Sequence, residues 1–246
     1  MPETRKPRDR IAPAAPLMLG LLIVMILAAC RPDHYPRDPG DTLAAVLSTR
    51  TMRVAAVDRE PWVVVDRQQP PRGAEVALVE EFARDLGVGI DWRRMSAFEA
   101  LDGLEQGDLD LAIGGFGQDS VARFPGAAST YAYYHETLTV GARPGTPVPE
   151  ELDGRPVFVP PDMPASELVR SKGGVPTGAD RDQTALTVLP QWRLQQAGLV
   201  PTGIVLRRSG HVMAVPQGEN AWLMRLERFL RRTAGTMEER LQGQGR

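Results

Sequence analysis

Between residues 53 and 113, short apolar runs alternate with stretches of helical spacing, and this alternation leaves few folds open. Arg53–Val57 is a short apolar run that reads as a buried strand, and Trp62–Val65, after Pro61, reads as a second. Across Ala74–Leu86, the residues Val76, Val79, Phe82, Ala83 and Leu86 recur at helical spacing, and Gly87 supplies a stop. Gly89–Arg93 reads as a strand. Phe98, Leu101 and Leu104 mark a helix stopped by Gly107, and the strand Leu109–Ile113 runs into a Gly114-Gly115-Phe116-Gly117 loop. Strands alternating with helices of this length predict a parallel α/β sheet. Ligands of open sheets sit beyond the carboxyl ends of strands. The loops 58–62, 94–98 and 114–123 are therefore the expected rim of a pocket.

The rest of the chain is less regular. Thr137–Ala142 reads as a strand and Pro144–Glu150 as a proline-rich joint. Val157–Val159 is a short strand, Ser166–Ser171 a short helix and Lys172–Asp182 a polar, glycine-rich loop. Leu189–Ala197 has helical spacing ended by Gly198, and His211–Val215 reads as a strand. Ala221–Arg232 is an amphipathic helix with Leu223, Leu226, Phe229 and Leu230 on one face.

The N-terminus reads as an address. Residues 1–10 hold Arg5, Lys6, Arg8 and Arg10, residues 11–29 carry no charge, and the apolar segment ends Leu27-Ala28-Ala29-Cys30. A basic region followed by a short apolar one is a secretory signal. Its last four residues resemble a bacterial lipobox, so residues 1–29 are expected to be a lipoprotein signal peptide and Cys30 the lipid-bearing residue. Residues 30–41 are proline- and aspartate-rich and read as a tether. The expected location is extracytoplasmic, at a membrane held through the lipid.

Composition narrows the function classes. The chain is 42% hydrophobic and 24% charged, which excludes a disordered or multi-span membrane protein. A formal net charge of −2 gives no basic face for nucleic acid. A single cysteine excludes an internal disulfide and a cysteine-based zinc cage, and His34, His135 and His211 are far apart in sequence, so no metal and no cofactor are expected. No Gly-x-Ser-x-Gly motif or Ser-His-Asp arrangement is found, so no enzyme is expected.

Five stretches carry a resemblance. They are MRVAAVDREPWVVVD, GAEVALVEEFARDLGVGIDW and AFEALDGLEQGDLDLAIGGF, then VARFPGAASTYAYYHETLTV and HVMAVPQGENAWLMRLERFLRRTAGTMEERL. In order and spacing they resemble the bacterial extracellular solute-binding proteins of family 3, the polar amino acid receptors of ABC transporters. The resemblance implies a two-lobed periplasmic-binding-protein-like fold of type II, with a shortened second lobe. Lobe one would be 42–140 plus 208–246, lobe two 141–207, and two crossing segments would form a hinge that closes on ligand.

The resemblance also implies a site. Arg123 matches the arginine that grips a ligand carboxylate with its planar fork. Trp62 stands at the family's aromatic position, and Phe116 and Tyr131 are further aromatic candidates. Asp58 and Glu60, in the first strand-end loop, are candidates for a ligand ammonium. Gly115, with Gly114, allows close backbone approach, and Gln118 stands where the family carries other polar residues. Lobe two departs from the pattern: Val159–Ser166 replaces a Gly-Thr anion turn, and Asp180 and Asp182 are the candidates for the family's later aspartate. The implied role is capture of a small polar solute, amino-acid-like by default and a carboxylate among the candidates, for ABC permease subunits. The alternatives are an envelope sensor or interaction module with a degenerate cleft, and a dehydratase-like enzyme.

Overall fold

The computed structural model describes residues 38–178 and 184–243. Cys30, the signal segment, and Asp180 and Asp182 lie outside the described residues.

Among the described residues, nine strands and seven α-helices follow one another in an α/β order. The strands are β1 (Thr51–Ala56), β2 (Gly89–Arg94), β3 (Leu111–Phe116), β4 (Ala127–Ser129), β5 (Tyr134–Ala142), β6 (Pro156–Phe158), β7 (Val175–Thr177), β8 (Leu186–Pro190) and β9 (Val200–Pro216). The helices are α1 (Thr42–Thr49), α2 (Ala74–Leu86), α3 (Ala97–Glu105), α4 (Gln118–Val121), α5 (Ser166–Ser171), α6 (Asn220–Thr233) and α7 (Met237–Gly243). The sheet runs β2-β1-β3-β9-β5-β8-β6-β7, with β4 also paired to β9. The pairs β1–β2 and β1–β3 are parallel, whereas β9 runs antiparallel to β3, β4 and β5. The predicted parallel α/β core is present, and the antiparallel β9 ties it to a second group of strands.

Strand β9 is the spine. Its C-terminal part, Val212–Val215, is fully buried and belongs to the first group of strands. Its N-terminal part pairs with β5 from Ala142↔Val200 to Tyr134↔His211. One face of the β1–β3 layer is covered by α2, α6 and α7, where Phe82, Trp222, Phe229 and Leu230 pack with Met52, Val54 and Met213. The opposite face is covered by α3 through Leu101 and Leu104, with Ala112, Phe116 and Val212 beneath them. A third apolar cluster joins Leu138 and Val140 to Leu152, Val157, Val169, Leu186 and Val188.

Local chemistry sets the helix ends. Ser96 and Glu99 form a reciprocal capping box at the start of α3, with Glu99 N–H donating to Ser96 Oγ at 3.3 Å and Ser96 N–H to Glu99 Oε2 at 2.8 Å. Helix α2 ends at Gly87, whose left-handed φ of 73° costs nothing without a Cβ. Its start is unusual. The carbonyls of Pro61 and Trp62 accept from the N–H groups of Ala74 and Glu75, so a distant loop caps the helix. Asp38 and Glu219 do similar work at α1 and α6: Glu219 accepts from Gly40 and Thr42, and Asp38 from Leu43 and Trp222. Residues 38–41 at the end of the expected tether are thereby pinned to the fold.

Several expected elements are corrected. Trp62–Val65 is not a strand: only isolated bridges Arg59↔Val63 and Val64↔Arg72 form, because Pro61 and Trp62 turn to cap α2. Leu189–Ala197 is not a helix. Leu189 and Pro190 complete β8 against β5, and a single 3-10 turn, Gln191–Arg193, follows. Pairing with β5 outweighs a short helical periodicity there. The strand expected at His211–Val215 extends over Val200–Pro216, and the loop Lys172–Asp182 contains β7. Gly114–Phe116 is the end of β3 rather than loop. Helix α1, to which no sequence pattern was assigned, is short and buries Thr42 and Val46.

Candidate functional site

A cleft of about 590 Å³ opens beyond the carboxyl ends of β1 and β3. Val57, Asp58 and Arg59 line it from the β1 loop, Ala97, Phe98 and Leu101 from α3, and Gly114–Gly117 with Ser120, Arg123 and Phe124 from the end of β3 onward. The crossing strands supply the back wall through Glu136 on β5 and Arg207, Ser209, Gly210 and His211 on β9.

Its floor is held by a buried carboxylate. Glu75, in the first turn of α2, is fully buried, and its Oε2 accepts from the N–H groups of Gly114 at 2.8 Å and Gly115 at 2.9 Å. The Tyr133 hydroxyl donates to its Oε1. Burial pushes the Glu75 carboxyl above its ordinary range, against the pull of these donors. Burial and the adjacent carboxylate also drive the Tyr133 hydroxyl well up. Gly115 has φ of 61°, and a Cβ there would lie 2.9 Å from Trp62 Cδ1. Glycine is needed for both backbone and space.

The back wall is polar. Trp192 Nε1–H donates to Glu136 Oε1 at 3.3 Å, and His211 Nε2 lies 3.9 Å from Glu136 Oε2. Burial raises Glu136, and His211, Trp192 and Arg207 together outweigh it and hold the carboxyl below its ordinary range. His211 stacks on Trp62 with centroids 3.9 Å apart and planes at 24°. At the opposite lip Phe98 is 66% exposed and meets Phe124 edge-on at 5.7 Å.

The residues singled out from sequence are not all in one place. Asp58, Gly115, Phe116 and Arg123 line the cleft. Asp58 already accepts the Val65 N–H at 2.9 Å, so one of its oxygens is occupied. Trp62 is buried and outside the lining, and it stacks on His211, which is part of the lining. Glu60 and Gln118 are exposed and outside the lining. Tyr131 faces α6: its N–H donates to Glu227 Oε1 at 2.8 Å and Arg231 lies over its ring. Glu75, Glu136, Arg207 and His211 carry the site without having been singled out. The signal available was a period of two: Arg207, Ser209 and His211 alternate on β9, opposite Leu138, Glu136 and Tyr134 on β5. No group of three or more histidine, cysteine or acidic residues suited to a metal occurs among the described residues.

The cleft lies among the strand-end loops that the α/β pattern marked as a rim. The family profile for the bacterial extracellular solute-binding proteins, family 3, matches residues 52–241. The chain belongs to that family. Among solved structures, the unliganded open L-cystine solute receptor of Neisseria gonorrhoeae aligns at a TM-score of 0.65 and 15% identity, over 82% of this chain and 95% of that one. An ancestral cationic amino acid solute-binding protein aligns at 0.63 and 15%, over 83% and 100%. An ancestral cyclohexadienyl dehydratase aligns at 0.60 and 16%, over 81% and 93%. These likenesses establish the type II binding-protein fold, which hosts both receptors and enzymes. In sequence, membrane-bound lytic murein transglycosylase F 2 of Alkalilimnicola ehrlichii is 35% identical over 99 residues, 40% of this chain but 21% of that protein. Family membership gives the protein a solute-binding role and an extracytoplasmic setting. Among the described residues, no helix is long and apolar enough to cross a membrane.

Proposed function

We propose that this protein is a non-catalytic receptor that captures a small polar solute in the cleft above β1 and β3 and delivers it to ABC permease subunits. A lipid on Cys30 holds it to a membrane on the extracytoplasmic side. One observation carries the reading: Arg123 stands at the lip of a cleft of about 590 Å³, and its guanidinium has no ion pair or hydrogen bond among the described residues. A free planar fork at a cleft mouth is suited to bidentate capture of a carboxylate. The receptors of similar fold are named for amino acids, which makes an amino-acid-like solute the starting class. The cleft has room for a ligand of that size.

The test is a thermal-shift screen of the purified full chain against a metabolite library. A ligand that binds only the folded state raises the melting midpoint by mass action. A hit with a carboxylate compound, lost in Arg123→Ala, supports the receptor. Silence across the library from a protein that melts cooperatively overturns it.

The match to part of a murein transglycosylase favours a second reading, a sensory or docking module for an envelope partner. Affinity capture from detergent-solubilised envelopes separates the two. Recovery of permease subunits alone counts against the module.

A further inference from the structure

His211 is 6% exposed, and neither ring nitrogen has a hydrogen-bond partner. A buried polar group left unsatisfied costs free energy that native folds rarely accept without a use. The ring stacks on Trp62, which fixes its plane. Its Nε2 is 3.9 Å from Glu136 Oε2, beyond hydrogen-bond range, yet one oxygen or nitrogen between them reaches both at ordinary distance. The ladder makes this juxtaposition: Tyr134 pairs with His211 and Glu136 with Ser209, so the two side chains lie on one face, and both line the cleft.

The bridging group must donate to Glu136, as a ligand ammonium or a ligand hydroxyl does. The charges around it decide between them. Arg59, Arg123 and Arg207 line the same cleft with no ion pair among the described residues. The same lining holds two carboxylates, Asp58 and Glu136, and Arg207 acts electrostatically on Glu136. A ligand ammonium adds positive charge to a lining whose three guanidiniums already outnumber its two carboxylates. A hydroxyl adds none. It donates O–H to Glu136 and accepts N–H from the imidazole, which is itself buried.

We infer that the cleft selects hydroxycarboxylates, reading a ligand hydroxyl between Glu136 and His211 while the Arg59 and Arg123 guanidiniums take the carboxylate. This rests on the solute-binding reading and narrows its ligand class. Entry of the hydroxyl calls for a side-chain rotation at Glu136 or His211, a common accompaniment of binding.

Calorimetry on the full chain in mild detergent tests it with two matched trios. The first is L-malate, L-aspartate and succinate. The second is L-3-phenyllactate, L-phenylalanine and 3-phenylpropionate. In at least one trio the hydroxy acid is expected to bind about tenfold tighter or more than both the amino acid and the unsubstituted acid, the loss expected for one buried charge-assisted hydrogen bond. His211→Phe keeps the stacking and removes both nitrogens. Glu136→Gln is nearly isosteric and covers the case in which that variant fails to fold. Either change is expected to bring the hydroxy and unsubstituted acids to equal affinity while leaving carboxylate binding in place. Amino acids binding as tightly as hydroxy acids, or a preference unchanged in both variants, overturns the inference and leaves the receptor standing. No saturable binding in either trio overturns the inference. Only silence across the wider metabolite library, with cooperative melting retained, brings down the receptor reading as well.

Discussion

Gly73 has φ of 134°, and a Cβ there would sit 2.3 Å from the Trp62 carbonyl oxygen, the atom that caps α2 through Glu75 N–H. No flexible side chain is available to yield, because the obstacle is backbone. Gly73→Ala is expected to destabilise the fold by about 2–4 kcal/mol, read from chemical denaturation, and to shift Trp62 fluorescence. Glu75 belongs to the same knot. Its folded carboxyl titrates above the ordinary value of 4.5 because burial dominates its surroundings. The stability held by that proton is fully present below the unfolded value and is lost as pH rises through the higher folded one. Unfolding free energy is therefore expected to fall with rising pH above the ordinary glutamate range. Glu75→Gln is expected to remove that part of the slope, at a cost of about 1–3 kcal/mol for the Tyr133 hydroxyl, which the amide nitrogen cannot accept from. Parallel pH curves for the two proteins would refute the assignment.

At the scale of elements, α3 links local sequence to the cleft. Its capping box fixes the turn that carries Ala97 and Phe98 into the lining. Ser96→Ala is expected to cost about 1 kcal/mol of stability and to weaken ligand binding in calorimetry without abolishing it. Helix α6 is anchored differently. Trp222 is fully buried and its Nε1–H donates to the Asp110 carbonyl at 2.6 Å, joining the helix to the entrance of β3. Asp110 in turn holds Arg53 of β1 through its carboxylate. Trp222→Phe removes that hydrogen bond and leaves a void. An equilibrium urea titration is expected to show a loss of about 2–3 kcal/mol with an unchanged m-value.

At the scale of the molecule, β9 is shared by both groups of strands, so neither can lose it without disturbing the other. Unfolding of the described fold is expected to be a single transition, with tryptophan fluorescence and far-ultraviolet circular dichroism giving coincident curves. Two separated midpoints would show that the groups fold independently.

Much of the fold was legible because burial periodicity is a local property. The Val76–Leu86 spacing, the Gly87 stop and the apolar face of α6 each need only a few neighbouring residues, and their order was enough for the family. Trp62–Val65 and Leu189–Ala197 misled because the winning contacts, a cap on α2 and a ladder with β5, come from elsewhere in the chain. The candidate site divides in the same way. Arg123 and Gly115 follow strand ends that the sequence marks. The buried Glu75, the stack of Trp62 on His211 and the meeting of His211 with Glu136 depend on register between strands and on packing between distant segments. The sequence by itself determined the class of fold, the elements with strong periodicity and the loops from which a cleft is built. Tertiary structure alone decided which polar side chains face one another across that cleft, because ladder register and burial are settled only when the whole sheet assembles.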